Sequence, residues 1–113
     1  MKHQYNVLLE RLTSFKLKGA ISHVIIIETD KDLTHLPEHY NILGAGSNAL
    51  VSPSTQHPIL RVSPGFCEFK LEDNLLLCSA GESVASILKW MCLHNIGGIE
   101  FAAGVPATIG GMV

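Results

Sequence analysis

The stretch Asn41-Ile-Leu-Gly-Ala-Gly-Ser-Asn-Ala-Leu-Val51 sets two glycines and two small polar residues between short apolar runs. Gly44 and Gly46 can take positive φ and let another molecule approach the backbone closely. Ser47 and Asn48 add a hydroxyl and an amide, and successive loop N–H groups can form an anion-binding nest. No lysine or arginine lies between Lys31 and Arg61, so the loop itself offers an anion only backbone dipoles. Read alone, the stretch fits a tight β-turn as well as a ligand site.

Its surroundings narrow the choice. Gly44-x-Gly46-x-x-Ala49 fits a loose dinucleotide fingerprint, but that motif must open a helix whose N-terminus receives the pyrophosphate. Pro53 and Pro58 leave no room for one, and the acidic residue at a suitable distance, Glu68, sits in a strand pattern facing solvent. A P-loop is excluded because no Gly-Lys-Ser/Thr follows.

Outward from the loop, Tyr40 to Leu43 reads as a strand running into it. His23-Val-Ile-Ile-Ile-Glu28 is a β-branched strand covered on both faces. Between them, Thr29 or Asp30 caps a brief helical turn that Pro37 ends, giving a βαβ-type unit. Tyr5, Leu8, Leu9 and Leu12 recur at helical spacing and predict an N-terminal helix over residues 3–12. Phe15 to Lys18 alternates like a strand, with Gly19 as a turn. Ser52 to Pro58 is a loop and Ile59 to Val62 a strand. Cys67, Phe69 and Leu71 alternate with Glu68 and Lys70, predicting a strand with one buried face. Asp73-Asn74 makes a hairpin turn into Leu75 to Ala80. Ser83 caps a helix whose Val84, Ile87, Leu88, Met91 and Cys92 form one apolar stripe, with a glycine of Asn95 to Gly98 at its left-handed end.

The 113 residues hold one small globular domain, 47% hydrophobic and 16% charged. A net charge of −2 and few aromatic residues argue against nucleic acid and anionic membrane as partners. Cys67, Cys78 and Cys92 lack metal or disulfide spacing, so buried thiols in a reducing cytosol are expected. The six histidines match no metal motif, and no catalytic triad or nucleophile elbow stands out. The N-terminus is no signal peptide. Ile96 to Val113 is nearly uncharged, but its five glycines, Pro106 and Glu100 make it an interior loop region and not a membrane span. The chain stops on Gly-Gly-Met-Val, in mid-motif, and is expected to be part of something longer.

A second glycine loop, Gly104-Val-Pro-Ala-Thr-Ile-Gly-Gly111, follows the first by 60 residues. Packing on its own domain would explain either loop. Together they suggest two jaws for an extended ligand with a phosphate-containing middle.

These residues resemble a known pattern. Gly44-Ala-Gly-Ser-Asn48 with the following Ala-Leu-Val, then Gly104 to Gly111, resembles the FAD-binding half of the UDP-N-acetylenolpyruvoylglucosamine reductase family. Thr13-Ser-Phe-Lys-Leu-Lys-Gly19, Ala80-Gly-Glu and Gly98-Ile-Glu-Phe-Ala-Ala-Gly extend the likeness over most of the chain. The resemblance implies an α+β, PCMH-type FAD-binding domain of the p-cresol methylhydroxylase and vanillyl-alcohol oxidase kind. Its parts would be an N-terminal helix (1–13), a βαβ-type subdomain (14–62), and the start of a second mixed or antiparallel sheet with a packed helix (63–113). It implies FAD held by Gly44, Ala45, Gly46, Ser47, Asn48, Gly104, Val105, Pro106, Ala107 and Thr108, with Gly110 and Gly111 in support. In the intact enzyme NADPH would be the reductant and a UDP-sugar the substrate, in the cytoplasm. The family's catalytic arginine, serine and glutamate fall beyond the corresponding point, so no catalytic residue is assigned and the piece alone is expected to be inactive. Two departures stand out: Lys18 replaces a glycine, and Ala107 replaces another, harmless only if φ there is negative. Another FAD-linked oxidase or dehydrogenase of this fold, or a self-associating interaction module, would share many of these features.

Overall fold

The computed structural model describes residues 1–66 and 68–113. Strand β1 (Lys2–Leu8) leads into a single helical turn, α1 (Leu9–Leu12), and then into β2 (Ala20–Ile27). A 3₁₀ turn at Asp30–His35 precedes β3 (Asn41–Ile42), and β4 follows at Ile59–Val62. These strands form one sheet in the order β1-β2-β4-β3. β1 runs antiparallel to β2, while β2 and β3 both run parallel to β4. The βαβ expectation therefore holds with one change of neighbour: β4 lies between the strands that the crossover joins.

The strand pairs β2 and β4 are central because they are the most β-branched and apolar, and burial on both faces rewards that composition. Alternation along them splits the core. Leu9, Leu12, Ile21, Val24, Leu43 and Ile59 pack on one face, and Ile25, Ile27 and Leu60 on the other. Each of these side chains is at least nine-tenths buried, a burial that contributes about 1.5–3 kcal/mol per large aliphatic residue.

Three sequence expectations change here. The helix over 3–12 is strand as far as Leu8, because β2 offers an open edge whose backbone groups need partners. Only Leu9 and Leu12 keep the helical spacing, and both are buried. Residues 15–18 form no strand; Lys16 turns the chain with φ +50. Beyond β4, a hairpin of β5 (Lys70–Glu72) and β6 (Leu75–Leu77) does turn on Asp73 and Asn74, both at positive φ. Its expected buried face is only partly formed: Phe69 is half-buried with its ring 5.6 Å from that of Trp90, while Leu71 is exposed, as are Leu75 and Leu77 on the second strand. The part of that pattern resting on Cys67 lies outside the described residues.

Helix α2 (Val84–Leu93) begins where expected. Ser83 Oγ accepts the Ser86 N–H at 3.0 Å, and Val84, Ile87 and Met91 are buried. Cys92 is exposed, against the expectation of buried thiols, and Cys78 is half-buried. The left-handed residue at the helix end is Asn95, φ +54, not a glycine. The Ile96 N–H donates to Met91 and the Asn95 N–H to Cys92, closing the helix. Residues 96–113 hold a 3₁₀ turn (Glu100–Ala102) and a four-residue turn, α3 (Ile109–Met112). They are interior only in part: Ala102 is buried, but Phe101 is 83% exposed and Val113 fully so. No helix is long and apolar enough to cross a membrane.

Candidate functional site

β2, β3 and β4 are parallel, so their carboxyl ends lie along one rim of the sheet. In open sheets ligands bind outside such ends. A cavity of about 530 Å3 opens there, lined by Ile26, Leu43, Gly44, Arg61, Val62 and Ser63. Its far wall is Ala80, Gly81, Thr108, Gly110 and Gly111. The size falls within the range of small-molecule sites, roughly 300–1,000 Å3. The two glycine loops, 60 residues apart in sequence, therefore face one another across one space.

The first loop is held from behind. The Leu43 N–H donates to the Leu60 carbonyl at 2.9 Å, fixing the end of β3. The Ser14 N–H donates to the Gly46 carbonyl at 3.0 Å and Ser14 Oγ to the Ser47 carbonyl at 2.9 Å. Carbonyls of the loop are thus turned toward the body of the protein. Among the described residues, no N–H of Gly44, Ala45, Gly46, Ser47 or Asn48 donates to a protein acceptor. Five successive donors without an internal partner suit an anion nest.

Gly44 and Gly46 differ in kind. Gly46 is buried at φ +73, and a Cβ there would collide with the Leu12 carbonyl. Packing on its own domain already explains that glycine. Gly44 does not have positive φ; a Cβ there would lie 2.6 Å from Thr108 Oγ1, filling the gap between the loops.

The second loop is stitched to the segment before α2. Val84 N–H donates to the Ala107 carbonyl (3.0 Å), Ile109 N–H to Glu82 (2.8 Å) and Gly110 N–H to Ala80 (2.9 Å). The Ile109 and Gly110 donors are thereby engaged, whereas the Thr108 N–H has no acceptor among the described residues, and beside it the loop presents a side chain. Thr108 Oγ1 is buried and has no hydrogen-bond partner among the described residues. A buried hydroxyl without a partner costs about 1–3 kcal/mol, which a ligand acceptor would relieve. Ala107 does not take positive φ, so its departure from glycine is harmless, and the same is true of Lys18.

Of the residues named from sequence, Gly44, Thr108, Gly110 and Gly111 line the cavity. Ala45, Gly46, Ser47 and Asn48 form the adjoining turn, while Gly104, Val105 and Pro106 are exposed and outside the cavity. Arg61, Ser63 and Ile26 were not legible as site residues. Their signal is the parallel pairing that sets Ile26 beside Arg61 on neighbouring strands.

The orphaned Thr108 hydroxyl, the cradle that a Gly44 Cβ would fill and the loop N–H groups fit the diphosphate portion of a dinucleotide cofactor. The molecule is thus an α+β domain whose two glycine loops border one cavity at the carboxyl ends of parallel strands. No protein-family model matches the chain. It is similar to the crystal structure of the reductase from Thermus caldophilus (UDP-N-acetylenolpyruvylglucosamine reductase), with a TM-score of 0.78 and 26% identity over 98% of this chain and 41% of that one. Curated relatives named UDP-N-acetylenolpyruvoylglucosamine reductase include that of Caldicellulosiruptor bescii, 27% identical over 93% of this chain and 36% of the relative. That of Orientia tsutsugamushi strain Ikeda is 31% identical over 97% of this chain and 40% of the relative. The chain is related to the UDP-N-acetylenolpyruvoylglucosamine reductase family, and it spans about two-fifths of the length of the curated relatives it matches.

Proposed function

We propose that this chain is the cofactor-cradling part of a UDP-N-acetylenolpyruvoylglucosamine reductase, and that the cavity between its glycine loops takes the diphosphate of FAD. The observation that carries this is the convergence of Gly44 and Thr108, the latter with an unpartnered buried hydroxyl, at the carboxyl ends of three parallel strands. The Gly44–Asn48 amides would donate to diphosphate oxygens, and Thr108 Oγ1 would add a hydroxyl from the opposite wall. Gly44 keeps the space open, and the Ser14 contacts hold the loop in its donating orientation. Donors fixed in advance lose little on binding.

When bound, FAD would carry hydride from NADPH to the enol-ether double bond of UDP-N-acetylglucosamine enolpyruvate, a step of peptidoglycan synthesis in the cytoplasm. The residues of this chain would bind and orient the cofactor and take no part in proton transfer. Titration of the chain into FAD should quench or shift flavin fluorescence, and it should not oxidise NADPH in response to the enolpyruvyl substrate. A silent titration at high protein concentration would contradict the first statement, and substrate-dependent turnover the second.

A second reading has its own observation. Leu71, Leu75 and Leu77 on the hairpin, Leu93 at the end of α2 and Phe101 on the Glu100–Ala102 turn are all exposed. As an interaction module the chain would self-associate through these residues and purify as a colourless dimer. Flavin retained through gel filtration by a monomer would exclude that reading.

A further inference from the structure

The cavity between the loops carries one charged side chain among its described lining residues, Arg61. The backbone of Arg61 is held on both sides, since β4 pairs with β2 through Ile26 and with β3 through the neighbouring Leu60. The side chain is half-buried, and its guanidinium makes no ion pair or hydrogen bond among the described residues. It also lines a second, adjoining cavity of about 490 Å3, where Gln4, Asn6 and Arg11 are found. Arg61 thus stands between two open spaces on one face of the sheet.

The bland account is an arginine lying over apolar strand surface with its head in water. That account explains the stem. It does not explain why the one cation among the described lining residues shares its cavity with an unpartnered hydroxyl and with Gly44, whose loop carries five uncommitted amides. Guanidinium, amides and hydroxyl all donate, and what satisfies all of them is a group rich in acceptor oxygens and negative charge. Guanidinium offers a planar fork matched to phosphate oxygens.

We propose that Arg61 supplies the counter-charge that makes this cavity select a phosphate-bearing ligand over a neutral one. This rests on the cavity being the cofactor site, and deepens that reading by assigning a charge the glycine loops lack. Arg61 is a positioning and specificity residue, with no role in bond making.

The test is calorimetric titration of the full chain with ADP, FAD and riboflavin at low and high salt, for the unaltered protein, Arg61→Gln and Arg61→Lys. ADP has the diphosphate without the flavin, and riboflavin has the flavin ring without phosphate. Arg61→Gln is expected to weaken ADP and FAD by about ten- to a hundredfold. It should flatten their salt dependence, and Arg61→Lys should keep most of both. Riboflavin should bind weakly and alike to all three. Unchanged ADP and FAD affinity in Arg61→Gln would overturn the proposal while leaving the FAD reading intact. Arg61-dependent ADP binding without any FAD binding would uphold the proposal and sink the flavin assignment. Binding of none of the three ligands would overturn both. If Arg61→Gln does not fold, salt-insensitive ADP binding by the unaltered protein would itself overturn the role of the charge.

Discussion

Gly44 and Gly46 are two residues apart, yet they are glycine for different physical reasons. Gly46 needs positive φ and has the Leu12 carbonyl where a Cβ would go. Gly46→Ala should therefore lower stability by more than about 2 kcal/mol with no ligand present, measured by urea unfolding. Gly44→Ala is crowded by Thr108 Oγ1, a side-chain atom that can rotate away, and meets the Gly111 backbone only at ordinary contact distance, 3.6 Å. It should change stability by less than about 1 kcal/mol while abolishing measurable FAD quenching. Thr108→Val gives the converse signature. Removing an unpartnered buried hydroxyl while keeping its shape should leave the ligand-free protein equally or more stable, by up to about 1 kcal/mol. FAD binding should weaken at the same time; a loss of stability without ligand would mean that the hydroxyl has a partner in the folded chain. The sequence marked both glycines and Thr108 as site candidates but could not rank them. What separates them is a carbonyl at residue 12 and a hydroxyl at residue 108, and neither proximity has a local signature.

At the level of elements, helix α2, the Asp73–Asn74 hairpin and β4 were legible because each carries its own boundary chemistry. Ser83→Ala should cost about 1 kcal/mol by thermal melt, as the Ser86 N–H loses its acceptor. The N-terminal strand was not legible. Tyr5, Leu8, Leu9 and Leu12 satisfy a helical period, and only the open edge of β2, set by residues 20–27, pulls the first half into a ladder. That strand is also pinned at its start. The Met1 ammonium lies 2.7 Å from Asp32 Oδ2, which also accepts the Glu28 N–H at 2.8 Å and the Thr29 N–H at 3.0 Å. The ammonium bond, then the backbone N–H groups, hold the Asp32 carboxyl well below the usual carboxylate range, and Asp32 raises the Met1 ammonium above 8.0. A depressed carboxylate stabilises the fold above its unfolded pKa of about 4 and loses that contribution as pH falls. A raised ammonium stabilises below about pH 8 and loses its contribution as pH rises through the raised value. The melting temperature should thus be flat between these limits and fall outside them, and Asp32→Asn should shrink both declines.

The whole molecule exposes more surface than its mass calls for. Its accessible area is 7638 Å2, against roughly 6,100 Å2 for a compact monomer of 12.2 kDa. Its radius of gyration is 15.3 Å, against about 13 Å for a compact chain of this length. Among the exposed large apolar side chains are Leu71, Leu75 and Leu77 of the β5–β6 hairpin and Phe101 and Val113 of residues 96–113. A two-stranded hairpin is marginal alone, and apolar patches of this kind find partners. Sedimentation at rising concentration should show reversible self-association, and Leu75→Lys with Phe101→Lys should suppress it. An unchanged monomer at the highest concentration would contradict this. The alternation of residues 67–71 suggested a buried face because it reports which side chains share a side, not whether anything covers that side.

The central claim is that the two glycine loops form one diphosphate cradle, and amide-resolved NMR of the 15N-labelled chain during titration with FAD tests it most directly. The Gly44–Asn48 amides, which lack internal acceptors, should shift most, together with Thr108. The Ile109 and Gly110 amides, already donating to Glu82 and Ala80, should shift less. Saturable shifts confined to residues remote from both loops, with Gly44–Asn48 unmoved, would contradict the account.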